Sequence, residues 1–271
     1  MTGMRLALIG YGAIGRPIVA RLRELGEIDR LDGILARSRP EADPGVPVWY
    51  DAREMLAVAP DIVIEAAGHE ALRAIGPAVV ASGADLIVAA VGALADEDFA
   101  GALRAAARDG ARVIVPPGAV AGLDGLVAAR SAGLERVTYS SYKPPHAWRG
   151  TRAEQAIDLD HEEEEIVFFT GSAREAALHY PQNANVGAAV SIAGLGLDET
   201  RVRLISSKQV DDPLGVIEAS GAFGRFRFEC LARASPTNPK TSAITADSLL
   251  ACARLGIGIP AFGATPRGRS R

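Results

Sequence analysis

The chain has 271 residues, 48% of them hydrophobic and 23% charged, and a formal net charge of −4 at pH 7. This length and composition are typical of a globular protein with one large domain or two modest ones, and they exclude a disordered, collagen-like or coiled-coil chain. The weakly acidic balance leaves no basic excess for binding nucleic acid.

The cysteine content and the N-terminus predict the redox state and the compartment. Cys230 and Cys252 are too few for a disulfide framework and lack metal-site spacing, so we expect two reduced thiols and no metal site. The apolar run from Leu6 follows a single arginine and is broken at once by glycines, unlike a signal peptide. No apolar run is as long as a membrane span. We expect a cytoplasmic protein that binds neither membrane nor nucleic acid.

The first half of the chain alternates short apolar runs with amphipathic segments. The apolar runs predict strands at Arg5–Gly10, Leu31–Ala36, Asp61–Ala66, Asp85–Ala90 and Ala111–Val115. Helical spacing of apolar residues predicts helices at Ile14–Leu25, His69–Ala81 and Asp96–Arg108. Strands joined by helices form right-handed βαβ units, so we expect a parallel sheet covered on both faces over residues 1–117.

The second half has a different texture and predicts a smaller α+β domain at residues 118–240. Its predicted strands are Val137–Tyr142, Ile166–Thr170, Val202–Ser206 and Phe223–Cys230, and its predicted helices are Gly122–Ala132, Ala173–His179 and Val186–Ala193. The acidic run Glu162–Glu165 is interpreted as a solvated segment. Residues 241–271 are expected to form a helix, Asp247–Leu255, that returns toward the first domain, followed by a flexible tail.

A glycine motif follows the first predicted strand. Gly10, Gly12 and Gly15 have the G-x-G-x-x-G spacing and precede the first predicted helix. In this context the glycines permit a tight turn, a close approach of a pyrophosphate and helix–strand packing. The alternative is a glycine turn without function. The motif favours a Rossmann dinucleotide-binding domain, so the predicted fold class is α/β with this domain followed by the α+β domain.

The residues after the second predicted strand indicate which dinucleotide is bound. An acidic residue there would bind the ribose 2′-hydroxyl, but the sequence has Arg37, Ser38 and Arg39. A guanidinium and a hydroxyl suit a 2′-phosphate, which favours NADP over NAD. The alternative is that both arginines are ordinary surface residues.

Eight short motifs between Leu6 and about Leu250 resemble the short, dimeric, NAD(P)-dependent L-aspartate dehydrogenases. They follow one another in family order. They are GYGAIG (10–15), EAAGHEAL (65–72), VGALAD (91–96), PPGAVAGLDGL (116–126), YKPPHAWRGT (142–151), FFTGSAREAALHYPQNANV (168–186), GAFG (221–224) and NPKTS (238–242).

The resemblance implies an activity, a cofactor and an oligomeric state. The activity is the reversible oxidation of L-aspartate to iminosuccinate, which hydrolyses to oxaloacetate and ammonia, with NADP or NAD as cofactor and a homodimer built on the second domain. The aromatic strand Phe223–Phe228 would otherwise expose an apolar face, which also favours a dimer. The predicted cofactor contacts combine the residues implied by the resemblance with Arg37 and Ser38. They are Gly10, Gly12, Ala13, Ile14, Gly15, Arg37, Ser38, Ala67, Gly68, Ala119 and Asn185. For Asn185 a helix-capping role is an equal alternative.

The resemblance also implies a catalytic histidine six residues before Gly221, where this sequence has Gly215. Lys143, His146 and Lys240 are the remaining candidates for catalytic or substrate-binding roles. A histidine restored at position 215 is expected to raise aspartate oxidation. The chain is therefore interpreted as an NAD(P)-dependent amino-acid or imine oxidoreductase with weak aspartate activity or an altered substrate. The alternative is a dinucleotide-binding protein without turnover.

Overall fold

The computed structural model describes residues 3–160, 163–181, 184–235 and 238–262. They fall into two compact units. The described residues of the first unit are 3–93, 97–116 and 245–262, and those of the second are 94–96 and 117–244 outside the gaps. The domain limits drawn from the sequence, 117/118 and 240/241, stay a prediction. The expected flexible tail and the start of the acidic run at Glu162 lie outside the described residues.

The elements alternate as strand and helix in the first unit and are mainly strands in the second. The strands are β1 (Leu6–Ile9), β2 (Leu31–Leu35), β3 (Val48–Trp49), β4 (Ile62–Glu65), β5 (Asp85–Val88), β6 (Val113–Val115), β7 (Leu134–Lys143), β8 (Glu165–Ser172), β9 (Arg201–Ser207), β10 (Leu214–Gly221), β11 (Gly224–Leu231), β12 (Ala234–Ser235), β13 (Asn238–Ser242) and β14 (Ile259–Phe262). The helices are α1 (Gly15–Glu24), α2 (Ala52–Ala57), α3 (His69–Ala81), α4 (Glu97–Ala106), α5 (Leu123–Ser131), α6 (Ala153–Ala156), α7 (Ala173–His179), α8 (Asn185–Ala193) and α9 (Thr245–Leu255).

The sheet of the first unit confirms the predicted α/β fold. Its strand order is β14-β6-β5-β4-β1-β2-β3, with β1 to β6 parallel and β14 antiparallel to β6. Strands β1, β4, β5 and β6 are buried at every residue, as expected for a sheet covered on both faces. The chain leaves β1 toward β2 on one side and returns to β4 on the other. This reversal makes the carboxyl ends of β1 and β4 the place where such sheets bind ligands.

Helix α9 packs in the first unit although it lies near the end of the chain. Its residues Ala246, Leu249 and Leu250 belong to the same buried cluster as Leu8 and Ile18. The guanidinium of Arg254 lies 2.7 Å from a carboxylate oxygen of Glu27, and hydrogen bonding to Arg254 lowers the pKa of that carboxyl. The segment after α9 then adds β14 to the edge of the sheet beside β6.

The second unit is built on a five-stranded sheet with the order β11-β10-β7-β9-β8. Strand β10 escaped the sequence analysis because two glycines, Gly215 and Gly221, interrupt its apolar alternation. Phe226 and Phe228 are half-buried and face Gly125 of α5. Helix α5 therefore covers part of the aromatic side of β11, and the opposite side bears Arg225, Arg227, Glu229 and Leu231. The dimer stays a prediction.

Both cysteines are free thiols, and burial raises the pKa of Cys252 to about 12. In the part of the chain that the structure describes, no His, Cys, Asp and Glu side chains cluster as a metal site would require. Within the same residues no helix has the length and apolar character needed to cross a membrane.

Candidate functional site

The turn between β1 and α1 has two glycines that no other residue could replace without movement of the backbone. Gly10 has a φ of +95°, and a Cβ there would lie 2.8 Å from the Cβ of Ala67 and 2.9 Å from the carbonyl oxygen of Ala66. A Cβ on Gly15 would lie 2.1 Å from the carbonyl oxygen of Gly10. Helix α1 therefore begins in backbone contact with the end of β1.

The middle glycine of the motif faces open space. A Cβ on Gly12 would meet no atom within 4 Å. The first N–H groups of α1 have no partners within the helix, its first turn carries no acidic residue, and Ile14 supplies no side-chain cap. Ala13 and Ile14 are half-exposed beside Gly12. An anion is stabilised at such a positive helix end, so this turn fits the pyrophosphate of a dinucleotide.

The end of β2 lies next to this turn. The amide of Gly10 donates to the carbonyl oxygen of Leu35 at 2.8 Å, which brings the residues that follow β2 beside the glycines. Arg37 and Ser38 are exposed there, and neither Arg37 nor Arg39 pairs with a carboxylate among the described residues. The arrangement leaves a guanidinium and a hydroxyl available for the 2′ substituent of the adenosine ribose.

Glu65 ends β4 and is a functional candidate that the sequence analysis missed. Its side chain is fully buried, and its carboxylate accepts hydrogen bonds from the backbone amides of two loops. One of these loops contains Ala67 and Gly68, which the resemblance places beside the cofactor. The signal that could have indicated Glu65 is an acidic residue at the end of a wholly apolar strand, because such a group is buried only when it is hydrogen-bonded.

In the second unit, polar residues gather at one end of a sheet face. Ser141 and Lys143 lie two residues apart on β7, and their side chains are on this face. Gly215 on β10 pairs with Ser141, and Ser206 on β9 pairs with Lys143. Ser141 and Ser206 are buried, and the Lys143 ammonium lies 5.0 Å from the centroid of the Trp148 ring. The cation at this polar end is a candidate for binding a substrate carboxylate.

Tyr139 fills the space next to Gly215. A Cβ at position 215 would lie 3.2 Å from the Tyr139 hydroxyl and 3.2 Å from a methyl group of Val120. Burial raises the pKa of Tyr139 to about 12, so its phenol is protonated at neutral pH, and it hydrogen-bonds Ser141. A side chain at position 215 therefore requires Tyr139 or Val120 to move by a few tenths of an ångström. The expectation that a histidine at position 215 raises aspartate oxidation stays a prediction.

The other candidate residues lie on different elements of the second unit. Ala119 lies in a half-exposed turn, and Asn185 is the half-exposed first residue of α8. His146 is exposed in the short 3-10 helix Pro145–Trp148. Lys240 lies on β13, and its side chain is outside the described residues. Their roles stay predictions.

Comparison with protein families gives two matches along the chain. Residues 10–116 match the model described as homoserine dehydrogenase, NAD binding domain. Residues 124–255 match the model described as aspartate dehydrogenase, C-terminal.

Several curated relatives match over most of the chain. The L-aspartate dehydrogenase of Ruegeria pomeroyi is 44% identical over 256 residues, which cover 93% of this chain and 92% of the relative. That of Serratia proteamaculans is 42% identical, with 93% and 97% covered. Among solved structures, aspartate dehydrogenase from Thermotoga maritima matches with a TM-score of 0.70 and 25% identity, covering 93% of this chain and 95% of that one.

The open space at Gly12 generates a test of dinucleotide binding. We expect Gly12→Ala to lower the affinity for NADP⁺ by about tenfold, since its methyl group would stand where the pyrophosphate approaches the backbone. The measurement is titration calorimetry, with thermal unfolding as a check on the fold.

The matched control is Gly101→Ala in α4, where a Cβ also meets no atom within 4 Å. Both variants should unfold near the wild-type temperature, and only Gly12→Ala should lose affinity. Equal affinities for NADP⁺ in the two variants would contradict the assignment of this turn.

Proposed function

The chain belongs to the L-aspartate dehydrogenase family and is an NAD(P)-dependent dehydrogenase that acts on an amino group; we propose that it oxidises L-aspartate slowly, with NADP⁺ preferred to NAD⁺. The relatives are L-aspartate dehydrogenases, which supports an amino acid as the class of substrate. The intact glycine turn at Gly10–Gly15 is the observation that carries the proposal, because a chain without dinucleotide chemistry would not need it.

The first unit would hold the dinucleotide. When bound, the nicotinamide group accepts the hydride from the carbon that bears the amino group. The amides that begin α1 would bind the pyrophosphate, and Arg37 and Ser38 would bind the 2′-phosphate of the adenosine ribose. These contacts hold the acceptor in place, and hydride transfer itself needs no side-chain catalyst once the two carbons are close.

The second unit would hold the amino acid. Lys143 is the described cation at the polar end of the sheet and would bind a substrate carboxylate, with Ser141 beside it. Gly215 supplies no acid–base group at the position where the resemblance implies a histidine. Because loss of such a group costs about 10²–10⁴ in rate, we propose weak aspartate turnover rather than none.

The reaction is tested by following the absorbance of the reduced nicotinamide with L-aspartate, a panel of other amino acids, and oxo-acids with ammonia. We expect slow, steady turnover with L-aspartate. Turnover at about 1–10³ per second with L-aspartate would contradict the proposed loss of an acid–base group. Fast turnover with another amino acid would identify an altered substrate, and absence of turnover with all of them would favour a binding protein.

The volume of the Tyr139 side chain allows a second test, which concerns the missing acid–base group at position 215. The double variant Tyr139→Ala with Gly215→His exchanges a large ring for a space that an imidazole can enter, so we expect about tenfold or more faster aspartate oxidation than wild type. The gain should follow the deprotonation of a histidine, rising through about pH 6.5.

The two single variants are the controls. Gly215→His should gain less than the double variant because its side chain needs Tyr139 to move, and Tyr139→Ala should gain nothing because it adds no base. A gain in Gly215→His equal to that of the double variant, with thermal stability unchanged, would show that the Tyr139 ring does not restrict position 215.

Dinucleotide preference is tested at the end of β2. We expect Arg37→Asp to reverse the order of affinities from NADP⁺ to NAD⁺, because a carboxylate accepts from a ribose 2′-hydroxyl and repels a 2′-phosphate. Arg53→Asp, an exposed change of the same charge on α2, should leave the order unchanged. A wild-type protein that binds NAD⁺ tenfold more tightly than NADP⁺ would contradict this account.

We also propose a homodimer that works in the cytoplasm. The resemblance supports the dimer, and β11 is an eight-residue strand at the edge of its sheet, with one row of backbone groups available for pairing. Light scattering at micromolar concentration should give twice the chain mass of 28.2 kDa. A result equal to the chain mass would rule the dimer out. Two unbridged thiols support a reducing compartment.

A further inference from the structure

The Glu65 carboxylate divides its two oxygens between two loops. Oε1 accepts from the amides of Ala67 at 2.7 Å and Gly68 at 2.6 Å, in the loop between β4 and α3. Oε2 accepts from the amides of Ala89 at 3.1 Å and Ala90 at 2.9 Å, in the loop after β5. One side chain therefore fixes the backbone that follows two neighbouring parallel strands.

This hydrogen-bond pattern suits only the ionised acid. Four N–H groups donate hydrogen bonds to the two carboxylate oxygens. If either oxygen were protonated, its O–H group would face an N–H donor, and one of these hydrogen bonds would be lost. Burial raises the pKa of the Glu65 carboxyl, and the four backbone amides lower it. Within the described ranges Glu65 makes no ion pair, so these amides and the start of α3 are what stabilise its charge.

The loop held by Oε1 reaches the phosphate turn. Gly10 approaches Ala66 and Ala67 so closely that a Cβ on it would lie 2.9 Å from the carbonyl oxygen of Ala66. Gly68 is the N-cap of α3 and has a φ of +108°, and its amide is one of the four donors. The loop therefore lies beside the phosphate turn, which the backbone contact between Gly10 and Gly15 holds in place independently.

We propose that Glu65 is a positioning residue for the nicotinamide half of the dinucleotide. A doubly wound sheet binds one mononucleotide on each half, and β4 and β5 belong to the half opposite the adenosine side at β1 and β2. Both loops tied by Glu65 leave the carboxyl ends of these strands, where the nicotinamide mononucleotide belongs. The inference rests on the dinucleotide binding of the proposed function.

Asp85 provides a matched control in the same sheet. It is a buried carboxylate at the opposite, amino end of β5, and it pairs with the guanidinium of Arg112 at 2.5 Å. Asp85→Asn removes a charge from the same sheet and lowers stability, but it is remote from the two loops. It separates a general loss of stability from a loss of loop position.

The test uses Glu65→Gln, which keeps the shape but replaces one acceptor oxygen by an NH₂ group that faces two N–H donors. We expect its affinity for NADP⁺ and NADPH to fall by about tenfold, with its affinity for 2′,5′-ADP within twofold of wild type. Asp85→Asn should bind all three ligands as wild type does. Titration calorimetry gives the affinities and thermal unfolding gives the stabilities.

Equal losses for 2′,5′-ADP and NADP⁺ in Glu65→Gln, or no loss for either, would overturn the proposal. A wild-type protein that binds neither ligand would instead refute the proposed function. Amide hydrogen exchange on the wild-type protein gives a second test that needs no variant. NADP⁺ should slow exchange at Ala67, Gly68, Ala89 and Ala90, whereas 2′,5′-ADP should not, and an equal response to both ligands would contradict the assignment.

Discussion

The backbone contact between Gly15 and Gly10 is the constraint on which the first unit depends. A Cβ at position 15 would lie 2.1 Å from the carbonyl oxygen of Gly10, so α1 can begin this close to β1 only with glycine. The contact places the first residue of α1 next to the carboxyl end of β1. The same turn touches the loop after β4 through Gly10, and that loop is held by Glu65. The proposed dinucleotide site therefore depends on backbone packing more than on side-chain ligands.

The sequence predicted the first unit well because both of its signals are local. Buried parallel strands appear as apolar runs such as 61–66, and the phosphate turn has fixed glycine spacing. Strand β10 was missed since Gly215 and Gly221 interrupt its pattern, and β14 because a strand containing Pro260 reads as irregular. These two strands are specified by their partners in the sheet, which no local pattern records.

The residues of the candidate site that belong to a sequence motif could be predicted, whereas those brought together by packing could not. The glycines are predicted from their spacing, and Arg37 and Ser38 from their position after the second predicted strand. The relation between Tyr139 and Gly215 is not predicted, because the two residues lie 76 positions apart in the sequence and meet only through the pairing of β7 and β10. Glu65 was passed over for the same reason, since its four donors come from loops that follow two different strands. Side chains that act through long-range contacts need the structure.

The central claim is that the turn at Gly10–Gly15 and the end of β2 bind NADP. A crystal structure of the protein with NADP⁺ tests it most directly. We expect pyrophosphate oxygens within hydrogen-bond distance of the amides between Gly12 and Gly15, and the 2′-phosphate beside Arg37. A pyrophosphate bound elsewhere, or an adenosine ribose remote from the end of β2, would contradict the account.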